Sequence, residues 1–477
     1  MTGHNVGRRD FMRRAATGAA AGASVSIAAV AGEARIEAKP AAGAGAQPAV
    51  PDDLSGIPNY CGHEHWGSIM ALGTVDEGFR ADVLQGALPV RGVTVWDLVL
   101  DPYGWGWLTS GGSDLGGALR TAGKKDFFEW WVENPATAFA AAKPLLERHR
   151  LTGVFRCTAR GILALHGVDI STFDSGAWAE ADRRVAQAYT DIHACHSQAM
   201  VKAGFDGLVR AVHPEFYSRA DDENGAAKEK TYLRTVMRID PLLALWKKHS
   251  PRRDQLADMV RVDPADAKTW REFIGRILDR ARDGGAVGIK QLQAYHRPLD
   301  FQHRADGDVE FRGELSDEDQ RVFEDWVVHE CCKQAHDRKW PHQVHVGTNN
   351  LPQSSPLPLE TLAKRYPDMP LVQLHCWPFL AESGHLAKMV PSIHLDTCWQ
   401  AVLNPAFHGE AMRMWLGYVP EHKIMCSHDA TSVEMAAGSA LFVRETLARE
   451  IAAAGGGHDT AQALLHDNAT RLYGGSH

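Results

Sequence analysis

Two histidines, His63 and His65, sit one residue apart in Tyr60-Cys61-Gly62-His63-Glu64-His65-Trp66. Strand side chains alternate faces, so residues two apart point the same way. Two imidazoles side by side at a strand end form half of a transition-metal site. Four more residues of ligand type follow, each at or near the end of a short apolar run. Lys290 ends Ala286-Val287-Gly288-Ile289-Lys290, and His345 lies in His342-Gln343-Val344-His345-Val346-Gly347. His375 ends Leu371-Val372-Gln373-Leu374-His375, and Asp429 ends Lys423-Ile424-Met425-Cys426-Ser427-His428-Asp429. A lone histidine in such a place is more often a hydrogen-bonded structural residue, but an ordered set needs several coincidences. The chemistry open to the set is hydrolytic. Neutral imidazoles leave a cation strongly Lewis-acidic, and zinc lowers the pKa of bound water from about 15.7 to roughly 7. A carboxylate touching that water can take its proton and pass it to a leaving group.

These residues need strands to hold them. From about residue 206 the chain alternates short apolar runs with helical patterns. Candidate strands are Asp206–Val212, Tyr232–Ile239, Ala286–Ala294, His342–Gly347, Leu371–Cys376, Ser392–Thr397 and Lys423–Ser427. Asp263–Arg282 and Asp317–Asp337 carry apolar spacing near 3.6, the first opening with Asp263-Pro264 as cap and first helical residue. With the strand before His63 the count is eight, which predicts an α/β fold, a (β/α)8 TIM barrel with its site at the strand C-terminal ends. An open doubly wound sheet is the alternative, but no glycine-rich phosphate loop follows the first strand. Residues of about 66–205 break the alternation, with helical patterns near Ala136–Arg148 and Ala177–Ala203. They read as a mainly helical insertion after the first strand, forming a lid or wall of the site. Val154–Thr158 is a competing strand within it.

The sequence resembles the metal-dependent amidohydrolase superfamily, in its amidohydrolase-2 group and near the amidohydrolase-like domain of FluG-type proteins. The order His-x-His, Lys, His, His, Asp carries the resemblance. So do Val287-Gly288-Ile289-Lys290-Gln291-Leu292-Gln293-Ala294-Tyr295-His296-Arg297, Leu374-His375-Cys376-Trp377-Pro378-Phe379 and Asn468-Ala469-Thr470-Arg471-Leu472-Tyr473. The first motif departs from many relatives in having Cys61 where they carry an acidic residue. The resemblance implies metal ligands at His63, His65, Lys290, His345, His375 and Asp429. It implies catalytic roles for Asp429, as proton acceptor, and for His375, which binds a second ion or polarises the carbonyl. Lys290 is then either a carboxylated bridge between two ions or an unmodified cation facing an anionic substrate. The implied cofactor is a divalent metal, zinc first, in one or two ions.

Other residues surround this set. Tyr295 and Arg297 follow Lys290 at the barrel mouth, and Trp377 follows His375, so all three are candidate substrate-binding residues; Arg297 suits a carboxylate clamp. Trp66 and Trp399 are candidate pocket walls. His342 and His428 should face away from the site, and His394 and Asp396 read as structural.

The 477 residues are 44% hydrophobic and 23% charged, an ordinary globular balance. The net charge of -8 argues against a nucleic-acid partner held through phosphates. Gly7-Arg8-Arg9-Asp10-Phe11-Met12-Arg13-Arg14 precedes a small-residue apolar stretch ending in Ala29-Val30-Ala31. It resembles a twin-arginine export signal over residues 1–31, followed by an Ala/Gly/Pro linker over 32–53 and the barrel domain over 54–477. The export machinery is therefore an expected partner, and the periplasm or exterior the expected location. The eight cysteines show no disulfide framework and read as free thiols.

The resulting expectation is an exported metal-dependent hydrolase that directs metal-bound hydroxide at an amide or lactone carbonyl of a small molecule. One rival is an amidohydrolase-2-type decarboxylase or hydratase, or a uronate-isomerase-like enzyme. The other is a non-catalytic metal- or sugar-binding envelope protein.

Overall fold

A computed structural model describes residues 54–66, 93–100, 115–125, 127–218, 231–246 and 250–474. The signal expected over 1–31 and the linker expected over 32–53 lie outside the described residues. Eight strands form one parallel sheet in the order β1 to β8. They are β1 (Asn59–Glu64), β2 (Phe205–Val212), β3 (Leu233–Arg238), β4 (Ala286–Gln291), β5 (His342–Val346), β6 (Leu371–His375), β7 (Ile393–Asp396) and β8 (Ile424–Met425). Helices alternate with the later strands, giving the (β/α)8 barrel.

Parallel strands covered on both faces read as near-continuous apolar runs, and these do. Tyr60, Val209, Val236, Val287, Leu374 and Met425 pack together with Tyr473 of the helix Asn468–Tyr473 as the barrel interior. Met237, Ile289, Val344 and Ile393 pack instead with Trp270, Phe323 and Leu362 of the surrounding helices. The ring closes through the backbone at the site itself. Asp429 N–H donates to His63 O at 3.0 Å, and His65 N–H donates to Ala430 O at 3.0 Å.

The helix Ala267–Asp283 buries Trp270, Phe273, Ile274, Ile277, Leu278 and Ala281 on one face. It begins later than Asp263-Pro264 because Asp266 and Thr269 cap each other reciprocally, which satisfies two orphan donors at once. The helix Asp317–Asp337 has the bounds its spacing predicts, with Ser316 as its cap. β4 stops at Gln291, short of Ala294, because Gln293–Tyr295 turns into a 3-10 segment.

Between β1 and β2 the described residues are mainly helical, including Pro135–His149, Gly153–His166, Ser175–Ala188 and Ile192–Ala203. Val154–Thr158 is therefore helix and not strand: Val154, Phe155, Cys157, Thr158 and Ile162 are buried at helical spacing. The pattern over Ala177–Ala203 is two helices, because Asp191 caps the second. The insertion packs Trp96, Trp131, Trp178 and Phe155 with Cys61 of β1, Leu208 of β2 and Met435 of the helix Val433–Ala454. All eight cysteines are buried and unbridged.

Candidate metal centre

β1 delivers His63 and His65. His63 is fully buried, and its Nδ1 lies 2.8 Å from Gln343 Oε1. Its Nε2 is buried with no hydrogen-bond partner. That nitrogen lies 3.9 Å from Asp429 Oδ1, and His65 Nε2 comes to 3.3 Å from the same oxygen. The donor atoms of His63, His65 and Asp429 all fall within 4.8 Å of one another. A buried, unsatisfied imidazole nitrogen is costly, and a shared cation removes the cost. The residues present therefore fit a divalent ion.

A second group meets the other oxygen of Asp429. His375 Nδ1 lies 3.6 Å from Asp429 Oδ2, 3.0 Å from Cys398 O and 3.3 Å from Cys398 Sγ. His375, Cys398 and Asp429 also offer donor atoms within 4.8 Å of one another. His345 Nδ1 faces His375 Nε2 at 2.9 Å, while His345 Nε2 meets Thr348 Oγ1 at 3.0 Å. Lys290 is buried on β4, in register with Arg238 of β3. Burial, and then Arg238, bring its ammonium down to about 8, while the Asp429 carboxylate pulls it up.

Burial also holds His63, His65 and His345 well below the usual imidazole range, and His375 at about 3. They are neutral rings with lone pairs to offer. Burial raises the Asp396 carboxyl to about 7 against the hydrogen bond from Ser427. It raises Glu64 well above the carboxylate range, where Glu64 accepts from Ala430 N–H at 2.7 Å.

The loops after β6 to β8 carry unusual backbone. His375, Cys376, Trp399 and Asp429 have φ of 67°, 62°, 68° and 54°. A left-handed non-glycine residue costs on the order of 1–3 kcal/mol and collects at functional sites. Here such backbone bears His375 and Asp429, and Asp429 is the residue that the two donor groups share.

The Tyr295 ring lies 4.5 Å from that of His345, and Trp399 lies 5.4 Å from His375. Trp377 stacks on Phe407 at 4.1 Å, and Trp66 packs on Phe205 and His196. Arg297 is buried among carboxylates. It donates to Asp325 at 2.5 Å and to Glu324 at 3.1 Å, and Arg304 holds the second Asp325 oxygen. A third carboxylate, Asp300, lies 3.8 Å from Arg297. His342 meets Cys332 Sγ, and His428 meets Ser439 Oγ, both on helices. His394 is half-buried, and Asp396 holds Ser427 and Cys398. Sequence reasoning passed over Gln343, Cys398 and Thr348. Gln343 stands two residues before His345 on one strand, so the period of two was a usable signal. Nothing in the local sequence ties Cys398 or Thr348 to the centre.

A family model described as amidohydrolase matches residues 190–475, the stretch that carries Lys290, His345, His375 and Asp429. The chain belongs to the amidohydrolase family. His63 and His65 precede the matched stretch. Protein fluG of Emericella nidulans is 30% identical over 149 residues, which cover 26% of this chain and 17% of that protein. This amidohydrolase also resembles a uronate isomerase from Thermotoga maritima, with a TM-score of 0.66 at 11% identity over 88% of this chain and 95% of that one. A glucuronate isomerase from Caulobacter crescentus gives 0.63 at 17% identity over 88% and 92%. At such identities the likeness is one of fold. Family and donor set together support a divalent metal at this centre.

Proposed function

We propose that this amidohydrolase is a hydrolase that opens an amide or lactone carbonyl, with zinc as its cation. The observation that carries the reading is the unpartnered His63 Nε2, buried beside His65 and Asp429. His63, His65 and Asp429 would hold one ion, and His375 and His345 line the far side of Asp429. A bound cation supplies Lewis acidity that brings water from a pKa of about 15.7 to roughly 7 and polarises a carbonyl. Asp429 takes the proton of the attacking water and hands it to the leaving nitrogen or oxygen. Such transfer contributes roughly 10² to 10⁴ in rate. The His345 and His375 rings, whose nitrogens are taken up by each other, by Thr348 and by Cys398, form a wall on that side of Asp429. Tyr295 and Trp399, packed on those two rings, exclude water from that side.

Metal content per chain, measured alongside turnover of an amide and lactone panel, tests the reading. Asp429→Asn should fold, and should lose nearly all turnover. A wild-type protein without bound metal, or one that binds metal and turns over nothing, sinks it. Two ions per chain would support Lys290 as a carboxylated bridge, and one ion would leave it an unmodified cation.

A second reading is isomerase or decarboxylase chemistry on a carboxylic acid. The buried cation Lys290 beside Arg238 supports it, as does fold likeness to enzymes named for uronate and glucuronate. A uronate assay run beside the amide panel separates the two. The Arg8-Arg9 pair and the apolar stretch behind it support export through the twin-arginine machinery to the periplasm or beyond. Replacing both arginines by lysine should then leave precursor in the cytoplasm.

A further inference from the structure

We propose that Gln343 fixes His63 in the tautomer that can bind a cation, and that Tyr473 holds Gln343 in place for that task. The proposal rests on the metal reading above and names a positioning residue for it.

The Gly62 carbonyl oxygen can only accept, and it lies 2.7 Å from the Gln343 amide, so the atom facing it is Nε2. The other amide atom is then Oε1, which faces His63 Nδ1 at 2.8 Å. Oε1 can only accept, so Nδ1 carries the hydrogen and the lone pair is on Nε2. That is the nitrogen left without a partner beside Asp429.

The amide cannot easily turn over. Its second N–H points at the Tyr473 hydroxyl, 3.0 Å away. A flip would set a carbonyl oxygen against Gly62 O at hydrogen-bond distance and leave buried donors unpaired. His63, Gln343 and Tyr473 are all fully buried, so water cannot substitute. Gly62 is clamped as well. Its N–H donates to Ser427 Oγ at 2.7 Å, and Ser427 donates to Asp396 Oδ2 at 2.8 Å. A Cβ on Gly62 would lie 2.9 Å from Asp396 Oδ2 and 3.3 Å from Tyr473 Cε2. Three distant segments, β1, β5 and the helix Asn468–Tyr473, therefore converge on one amide. Hydrogen bonds to the far nitrogen of a ligand histidine commonly govern 10- to 100-fold in metal affinity.

The test uses the full chain stripped of metal, with zinc affinity read by chelator competition and folding checked by circular dichroism. Gln343→Leu should weaken zinc binding about 10- to 100-fold. Tyr473→Phe should weaken binding by a smaller factor. A folded Gln343→Leu that binds zinc like wild type overturns the proposal. If Gln343→Leu does not fold, nitrogen-15 NMR of labelled histidine in the metal-free wild type decides. A hydrogen on His63 Nδ1 is expected, and one on Nε2 overturns the proposal. A wild type that binds no zinc would sink the metal reading while leaving this tautomer measurement intact.

Discussion

His345 Nδ1 and His375 Nε2 face each other at 2.9 Å across the adjacent strands β5 and β6. Thr348 Oγ1 meets the far side of His345, and the Cys398 carbonyl meets the far side of His375. The four groups form one chain, so neither ring can change its hydrogen bonding without the other. His345→Ala and His375→Ala should each lower kcat/KM by about 10² to 10⁴. The double variant should fall little further than the worse single one, because residues acting as a unit are non-additive. Losses that multiply in the double variant would mean two independent roles.

Arg297 and Tyr295 should separate cleanly. Arg297 is 6% exposed and shares Asp325 with Arg304. Arg297→Ala leaves a buried carboxylate half paired and should cost about 3 kcal/mol in denaturant unfolding, with KM unchanged. Tyr295→Ala removes the ring packed on His345 and should raise KM with little loss of stability. A stable Arg297→Ala with a raised KM would restore this arginine to the substrate.

The barrel was legible from the sequence because its strands are short, apolar and regularly spaced, and because ligand-type residues end them. The exceptions have local causes. β8 is only Ile424–Met425, so Asp429 lies beyond the strand and depends on a left-handed turn that no pattern announces. Arg297 looked like a clamp since it follows Lys290 at the mouth, but its partners Glu324 and Asp325 sit on a helix more than twenty residues away. The Tyr473–Gln343–His63 line joins segments 130 and 280 residues apart, beyond the reach of any local period.

Helix Gly153–His166 of the insertion crosses helix Val433–Ala454, which begins just after Asp429. The crossing has no room for a side chain at Gly161, where a Cβ would fall 1.6 Å from the Glu434 carbonyl oxygen. Gly161→Ala must push the helices apart, and overpacking of this kind costs about 1–3 kcal/mol or more. A lower melting temperature is expected, together with weaker metal binding as the Asp429 turn shifts. A Gly161→Ala variant as stable as wild type would show that the crossing is looser than it stands here.

Acid should destabilise the metal-free fold below about pH 6.5. Burial holds His196, His342, His394, His408 and His428 each at about 3, against 6.5 for the free side chain. Below 6.5 the unfolded chain takes up protons that the folded chain refuses, so the contribution of these rings falls with pH through this window and is flat above it. Each histidine contributes up to about 1.4 kcal/mol per pH unit. Asp396, raised to about 7, and Glu64, raised further, act in the opposite direction, since the folded chain binds those protons first. With the depressed His63, His65, His345 and His375 of the metal-free centre added, the histidines outnumber the two carboxylates and leave a net loss. Urea unfolding from pH 6.5 down to 5 should show stability falling steadily, and His408→Gln should reduce that slope by up to one proton. Stability that holds level or rises through the window would mean that these rings take up protons inside the fold.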